Sequence, residues 1–160
     1  MFLSICIPTY NRPEALRNCI NSIFEQKNIN WKNFEVCVSD NCSKENISKV
    51  LKPFKKKINI RYKRNKKNLG FAMNLLNVSM MAKGEFIWFL GDDDLVNQNS
   101  ISYLINLIKK NKSIDFYFIN SFYLKKSFLD NYPKPFNTKY LPKKMAAHSP
   151  QKKNKIVNFF

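Results

Sequence analysis

Glycine, histidine and acidic residues are all scarce in this chain, and each shortage excludes a class of chemistry. Of 160 residues only Gly70, Gly84 and Gly91 are glycines. Neither G-x-G-x-x-G nor a Walker A loop can be written, so a phosphate cradled by a glycine-rich turn is ruled out. His148 is the single histidine, and Cys6, Cys19, Cys37 and Cys42 show no C-x-x-C or Cys/His ligand spacing. That pattern argues against zinc and against a disulfide framework, and fits reduced thiols in a cytosolic protein. Eleven Asp and Glu stand against 28 Lys and Arg, a net charge of +17. An acidic protein is excluded, and nucleic acid, anionic lipid and nucleotide phosphates become plausible partners. No apolar run reaches membrane-spanning length, and the opening MFLSICIPTYN meets Pro8 too soon for a signal peptide or a span. Any contact with a membrane is then expected from the side, through charge and exposed apolar groups.

What the chain does have is 44% hydrophobic residues, enough for one sizeable core. There are no internal repeats, but hydrophobic period alternates in the order of an α/β protein with a mostly parallel sheet flanked by helices. Strand-like runs are expected at Phe2 to Ile7, Phe34 to Ser39, Ile58 to Tyr62, Phe86 to Leu90 and Ile114 to Ile119. Helices are expected from Pro13 through Phe24, over a short piece capped by Ser43 with Ile47, Val50 and Leu51 inside and Pro53 closing it, from Phe71 to Ala82, and from Asn99 to Lys110. The run Phe86 to Leu90 is apolar on both faces, which predicts a central strand. Its aromatics, with Phe116, Tyr117 and Phe118, are assigned to the core. Residues 1–125 read as one ordered domain. Residues 126–160 read as a flexible tail or an incomplete acceptor region: from Asn131 onward there are seven lysines, no acidic residue and four of the seven prolines.

In parallel sheets ligands bind beyond the carboxyl ends of the strands. The first strand delivers Thr9 and Asn11 there, the second Asp40 and Asn41, the fourth Asp92, Asp93 and Asp94. Three consecutive carboxylates repel one another unless a cation offsets their charge, and oxygen ligands without His or Cys point to Mg²⁺ or Mn²⁺. A lone acidic triplet is more often a solvated turn capping the next helix; placement after so apolar a strand favours a site. A metal shared with a diphosphate would serve group transfer as a Lewis acid.

The segments Ser4-Ile5-Cys6-Ile7-Pro8-Thr9-Tyr10-Asn11-Arg12, Val38-Ser39-Asp40-Asn41-Cys42-Ser43, Asn68-Leu69-Gly70 with Asn74, and Gly84-Glu85-Phe86-Ile87 running into Leu90-Gly91-Asp92-Asp93-Asp94 resemble, in that order and spacing, the family-2 glycosyltransferases of the Rossmann-like GT-A fold. The resemblance covers about residues 1 to 120. It implies that Pro8, Thr9, Tyr10 and Asn11 line the base and ribose of a nucleotide-diphospho-sugar and that Asp40 accepts a hydrogen bond from the base, commonly uracil. It places Asn68 and Asn74 near the donor pocket, Asp92 at the ribose, and Asp93 and Asp94 as metal ligands in the D-x-D element. The family's common form is LDxDD, whereas this chain reads Leu90-Gly91-Asp92-Asp93-Asp94, so either Gly91 stands in place of the first Asp or the motif is shifted by one.

Inverting sugar transfer also needs a general base for the acceptor hydroxyl. After Asp94 the only acidic residues are Asp115, at the start of a strand, and Asp130, which is the candidate base. An isolated His148 among lysines reads as solvated. The shortage of acidic residues in this half suggests a truncated or degenerate enzyme, or one fragment of a split pair. The implied activity is a metal-dependent, inverting transfer in cell-surface glycan assembly, cytoplasmic, with a glycan or lipid-linked acceptor and peripheral contact with an anionic membrane. The runs Lys55-Lys56-Lys57 and Lys63-Arg64-Asn65-Lys66-Lys67 admit as the alternative a basic nucleic-acid- or anionic-membrane-binding protein that keeps the fold without catalysis; the absence of a recognised nucleic-acid motif disfavours the first form. Nucleotidyl transfer is disfavoured by the missing glycine-rich loop.

Overall fold

The computed structural model describes residues 1–119 and 121. Four parallel strands, β1 (Leu3–Thr9), β2 (Phe34–Asp40), β3 (Ile60–Arg64) and β4 (Phe86–Phe89), form a sheet in the order β3-β2-β1-β4. Helices α1 (Pro13–Phe24), α2 (Ile47–Leu51) and α3 (Gly70–Ser79) follow the first three strands, and α4 (Ser100–Lys110) follows β4. Because every described strand runs the same way, all their carboxyl ends open onto one rim.

The two sheet faces are covered differently. On one, Leu3, Ile5 and Ile7 of β1 and Phe34, Val36 and Val38 of β2 pack with Leu16, Ile20 and Ile23 of α1, Ile47 and Leu51 of α2 and the Ile101, Leu104, Ile105 and Ile108 stripe of α4. Burying each such side chain stabilises the fold by about 1.5–3 kcal/mol. The other face is thinner: Cys6 and Cys37, in register on β1 and β2, meet Val78 and Met81 from α3 and the turn after it. All four cysteines are free thiols.

The expected elements are present with instructive shifts, except the strand expected at Ile114 to Ile119. The third strand lies two residues later than its apolar run suggests, drawing Lys63 and Arg64 into the ladder opposite Ser39 and Asp40. Ser43 does not cap α2; Asn46 does, accepting from the Lys49 N–H. Pro53 does not end the helical path but sits in the first turn of a 3₁₀ segment, Lys52–Lys56, where a missing N–H costs nothing. β4 lies at the edge of the described sheet rather than at its centre, with Ile87 and Phe89 exposed. Phe116 and Phe118 are also exposed, whereas Phe86, Trp88 and Tyr117 pack against the core. Residues 114–119 form no strand; Ile119 alone is a bridge residue. Among the described residues no helix is long and apolar enough to cross a membrane.

Candidate functional site

The turn after β1 is tied to its neighbours on both sides. Asn11 adopts a left-handed backbone (φ 54°), a conformation its short amide side chain tolerates. Its N–H donates to Ser43 Oγ (2.9 Å), and its Oδ1 accepts from the Lys44 N–H (2.8 Å), lacing this turn to the one after β2. On the other flank the buried Thr9 hydroxyl donates to Asp92 Oδ2 at 2.7 Å, joining β1 to the turn after β4. The exposed Arg12 guanidinium then bridges Asp92 Oδ1 (3.2 Å) and Asp93 Oδ2 (3.0 Å).

Asp40 ends β2 with its carboxylate fully buried. Oδ1 accepts from the Ser43 N–H (2.8 Å), Oδ2 accepts from the Tyr62 hydroxyl (3.0 Å), and Arg64 Nε lies 3.9 Å from Oδ2. Burial, and then the bond to Asp40, push the Tyr62 phenol up to about 12. Each carboxylate oxygen can accept more than one bond, so Asp40 keeps acceptor capacity beyond these partners.

Beneath the rim runs a network of asparagines. Asn74 is buried; its Nδ2 donates to the Ser39 (3.0 Å) and Thr9 (3.4 Å) carbonyls while its Oδ1 accepts from Ser39 Oγ (2.7 Å) and Asn65 Nδ2 (3.1 Å). Asn41 donates to Asn68 Oδ1 (2.7 Å) and the Gly70 carbonyl (3.2 Å), and accepts from Asn65 Nδ2 (3.1 Å) and the Leu69 N–H (2.9 Å). A buried polar network so fully satisfied fixes one arrangement of the loops it joins. Asn74 therefore carries the ends of β1 and β2, and Asn68 sits above it at the exposed start of α3.

The acidic turn is built around Gly91. Its N–H donates to Asp94 Oδ2 (3.1 Å), and a Cβ at this position would stand 2.8 Å from Asp94 Oδ2 and 3.0 Å from Asp93 Oδ1. A Cβ here would meet only the ends of those two exposed side chains, which can turn aside, so the turn accommodates the glycine without requiring it. Burial raises Asp92 above the ordinary carboxylate range, against the lowering effect of Thr9 and Arg12. Asp93 and Asp94 are exposed. Among the described residues no three Cys, His, Asp or Glu side chains converge as a metal cage. The set still fits Mg²⁺ or Mn²⁺ in kind, since such ions take one or two carboxylates and complete their shell from water and phosphate, and Arg12 already holds a cation against Asp92 and Asp93.

Pro8, Thr9, Tyr10, Asn11, Asp40, Asn68, Asn74, Asp92, Asp93 and Asp94 are thus all carried by strand ends, loops or the first turns of α3 at one rim. Asp115 is not: it follows α4, and Tyr117 beside it packs on Phe86, the first residue of β4, at the opposite end of the sheet. Asp130 and His148 lie outside the described residues. Arg12, Tyr62 and Asn65 are no site residues of the sequence expectations, and Ser43 is expected there only as a helix cap, yet all four prove integral to the rim. Arg12 could have been found as the cation nearest in sequence to the β1 turn in a site rich in carboxylates. Tyr62 carries no local signal, because its partner depends on the β2–β3 register.

The comparisons with known proteins agree with this geometry. A 38% identity over 106 residues links the chain to the abequosyltransferase RfbV of Salmonella typhimurium, covering 65% of this chain and 32% of that protein. The poly(ribitol-phosphate) beta-N-acetylglucosaminyltransferase TarP of Staphylococcus aureus is 34% identical over 114 residues, 69% of this chain and 34% of the relative. The crystal structure of S. aureus TarS 1-349 in complex with UDP-GlcNAc superposes with a TM-score of 0.66 at 26% identity, over 70% of this chain and 32% of that one. The chain therefore spans about a third of the length of these relatives. The profile of the family described as "Glycosyl transferase family 2" matches residues 4–158, well past the stretch of about residues 1 to 120 whose motifs carry the resemblance. With the parallel sheet and the profile in agreement, this chain belongs to glycosyl transferase family 2.

Proposed function

We propose that this chain carries the donor-binding part of a glycosyltransferase that moves a sugar from a nucleotide diphosphate, a UDP-sugar first of all, to a cell-surface glycan or lipid-linked acceptor. The observation that carries the reading is the joining at one rim of Thr9 to Asp92, of Asn11 to Asp40 through Ser43, and of Asp92 to Asp93 through the Arg12 bridge. The relatives support the donor class: TarS has been crystallised with UDP and with UDP-GlcNAc.

In this reading Pro8, Thr9, Tyr10 and Asn11 form the wall for base and ribose, and Asp40 anchors it through Ser43 and Tyr62 while offering an acceptor to the base. Asn68 and Asn74 keep that wall in place, and Asp92 reaches the ribose. Asp93 and Asp94 would hold Mn²⁺ or Mg²⁺, which neutralises the charge of the departing nucleoside diphosphate. Arg12 releases its carboxylates and turns its guanidinium toward the diphosphate, a geometry to which its planar fork is suited. For transfer with inversion, a carboxylate takes the proton of the acceptor hydroxyl as its oxygen bonds to the anomeric carbon and the bond to the diphosphate breaks. Asp130 is the proposed base. The working place is the cytoplasm, at the inner face of an anionic membrane.

A thermal-shift panel of UDP, GDP, CDP and dTDP, with Mn²⁺ and with EDTA, tests this directly, because a ligand that binds only the native state raises its melting temperature. A Mn²⁺-dependent shift with UDP that is lost in Asp93→Asn/Asp94→Asn is expected. No shift with any nucleotide in a folded protein contradicts the reading. Asp130→Asn is expected to lose sugar transfer while keeping the UDP shift.

A further inference from the structure

The sequence from Gly70 to Ala82 contains no charged residue, and α3 uses only one side of that apolar surface. Asn74, Val78 and Met81 face the sheet and are buried. On the outer side Met73 is 48%, Leu76 50% and Met80 66% exposed, and Phe71 at the start of the helix is 73% exposed. These positions fall on one stripe at helical spacing, 73, 76 and 80. A helix that carries apolar side chains on two opposite sides is ordinarily covered on both.

The surroundings of the stripe are basic. Lys63, Lys66 and Lys67 are exposed just before α3 and Lys83 just after it, with Glu85 the sole acidic residue between positions 63 and 85. Two coverings drawn from this chain fit poorly. A second copy laid face to face would bring like charges together. The segment 131–160 adds seven lysines and no acidic residue, and so is repelled in the same way. Apolar side chains ringed by lysines match the interface of an anionic bilayer, where methionine and leucine enter the acyl boundary and ammonium groups remain among the headgroups.

We infer that the outer face of α3, with Lys63, Lys66, Lys67 and Lys83 around it, docks this protein on an anionic membrane surface. α3 begins at the same rim as the donor site, since Asn68 and Gly70 are bonded to Asn41. Docking there sets the rim beside the bilayer, within reach of an acceptor carried on lipid. The biological sense of this docking rests on the membrane-side acceptor proposed above; its measurement does not, because vesicle binding is read without any sugar nucleotide.

The test is co-sedimentation of the full chain with phosphatidylcholine vesicles and with mixed phosphatidylcholine/phosphatidylglycerol vesicles, at low and high salt. Wild type is expected to pellet with the anionic vesicles only, and to be released by salt. Lys66→Glu/Lys67→Glu is expected to weaken the partition coefficient by at least about fivefold per lysine. Leu76→Ser/Met80→Ser is expected to lose binding with an unchanged melting temperature, since both side chains are exposed. Leu76→Trp supplies an independent reading: its emission should shift to the blue only when anionic vesicles are added. Absence of vesicle binding, binding unaltered by both double variants, or a Leu76→Trp emission already blue-shifted in buffer, meaning that protein covers the face, would overturn the inference. A UDP shift that survives in these variants would leave the donor-site reading standing whatever the vesicles show.

Discussion

Strand β2 carries a buried carboxylate near each end, and their environments are nearly twins. Glu35 accepts from the Ser4 hydroxyl (2.8 Å) and the Lys83 N–H (2.7 Å), with Arg61 from β3 at 3.9 Å. Asp40 accepts from the Tyr62 hydroxyl (3.0 Å) and the Ser43 N–H (2.8 Å), with Arg64 from β3 at 3.9 Å. What separates them is the neighbourhood. Around Glu35 the partners close on themselves: Ser4 Oγ also receives the Gly84 N–H (2.9 Å), pinning the turn that enters β4. Around Asp40 the partners lead outward, through Ser43 to Asn11 and on to the loops beside exposed carboxylates. A buried, well-bonded carboxylate is therefore not by itself a sign of function; an open edge to its network is what sets Asp40 apart.

The strongest way to break this contrast is to remove each carboxylate. Glu35→Ala and Asp40→Ala should each cost about 3 kcal/mol in urea denaturation, since both strand buried donors. Only Asp40→Ala should also abolish UDP binding by the molecules that remain folded; equal UDP affinity in both would erase the distinction. Next, Gly84→Ala should cost about 1–3 kcal/mol without touching UDP affinity. Its Cβ would lie 2.7 Å from the Ser4 backbone N, which cannot move without shifting β1.

Tyr62→Phe is milder, about 1 kcal/mol, and should weaken UDP binding by loosening Asp40. The Tyr62 phenol is raised from 10.0 to about 12. The native state therefore holds this proton in a range where the unfolded chain has lost it. The stabilisation is complete below pH 10 and disappears as the pH rises through about 12, and an ultraviolet titration should show one tyrosine ionising late. The smallest effect concerns Asp92, whose pKa lies above 3.8 chiefly through burial. Its native state binds the proton more readily than the unfolded chain, so charging it costs stability as the pH rises through that raised value. Asp92→Asn should gain thermal stability at neutral pH, and the gain should vanish in acid; an unchanging difference across pH would contradict this origin.

Much of this was legible in the sequence where local chemistry decides the outcome. The α4 stripe Ile101, Leu104, Ile105 and Ile108 is buried as its period demands, and the polar residues ending each strand do share a rim. The misreadings are those where a partner distant in sequence decides. β4 is apolar on both faces, but nothing in the described residues covers Ile87 and Phe89, so periodicity alone placed it too deep. Ser43 resembles a helix cap until the left-handed turn at Asn11 claims its oxygen. The bonds of Arg12 to Asp92 and Asp93 span 80 and 81 residues, and no spacing rule reaches that far.

In the proposed function the open rim binds the donor nucleotide, while the closed end of the same sheet only holds the fold. Amide chemical-shift mapping of the labelled protein on addition of UDP with Mg²⁺ tests it most directly. Perturbations are expected to cluster at Thr9 to Asn11, Asp40 to Ser43, Asn68 to Gly70 and Gly91 to Asp94, with Ser4, Glu35, Lys83 and Gly84 unmoved. No perturbation at saturating UDP, or perturbations centred on Glu35, would contradict it.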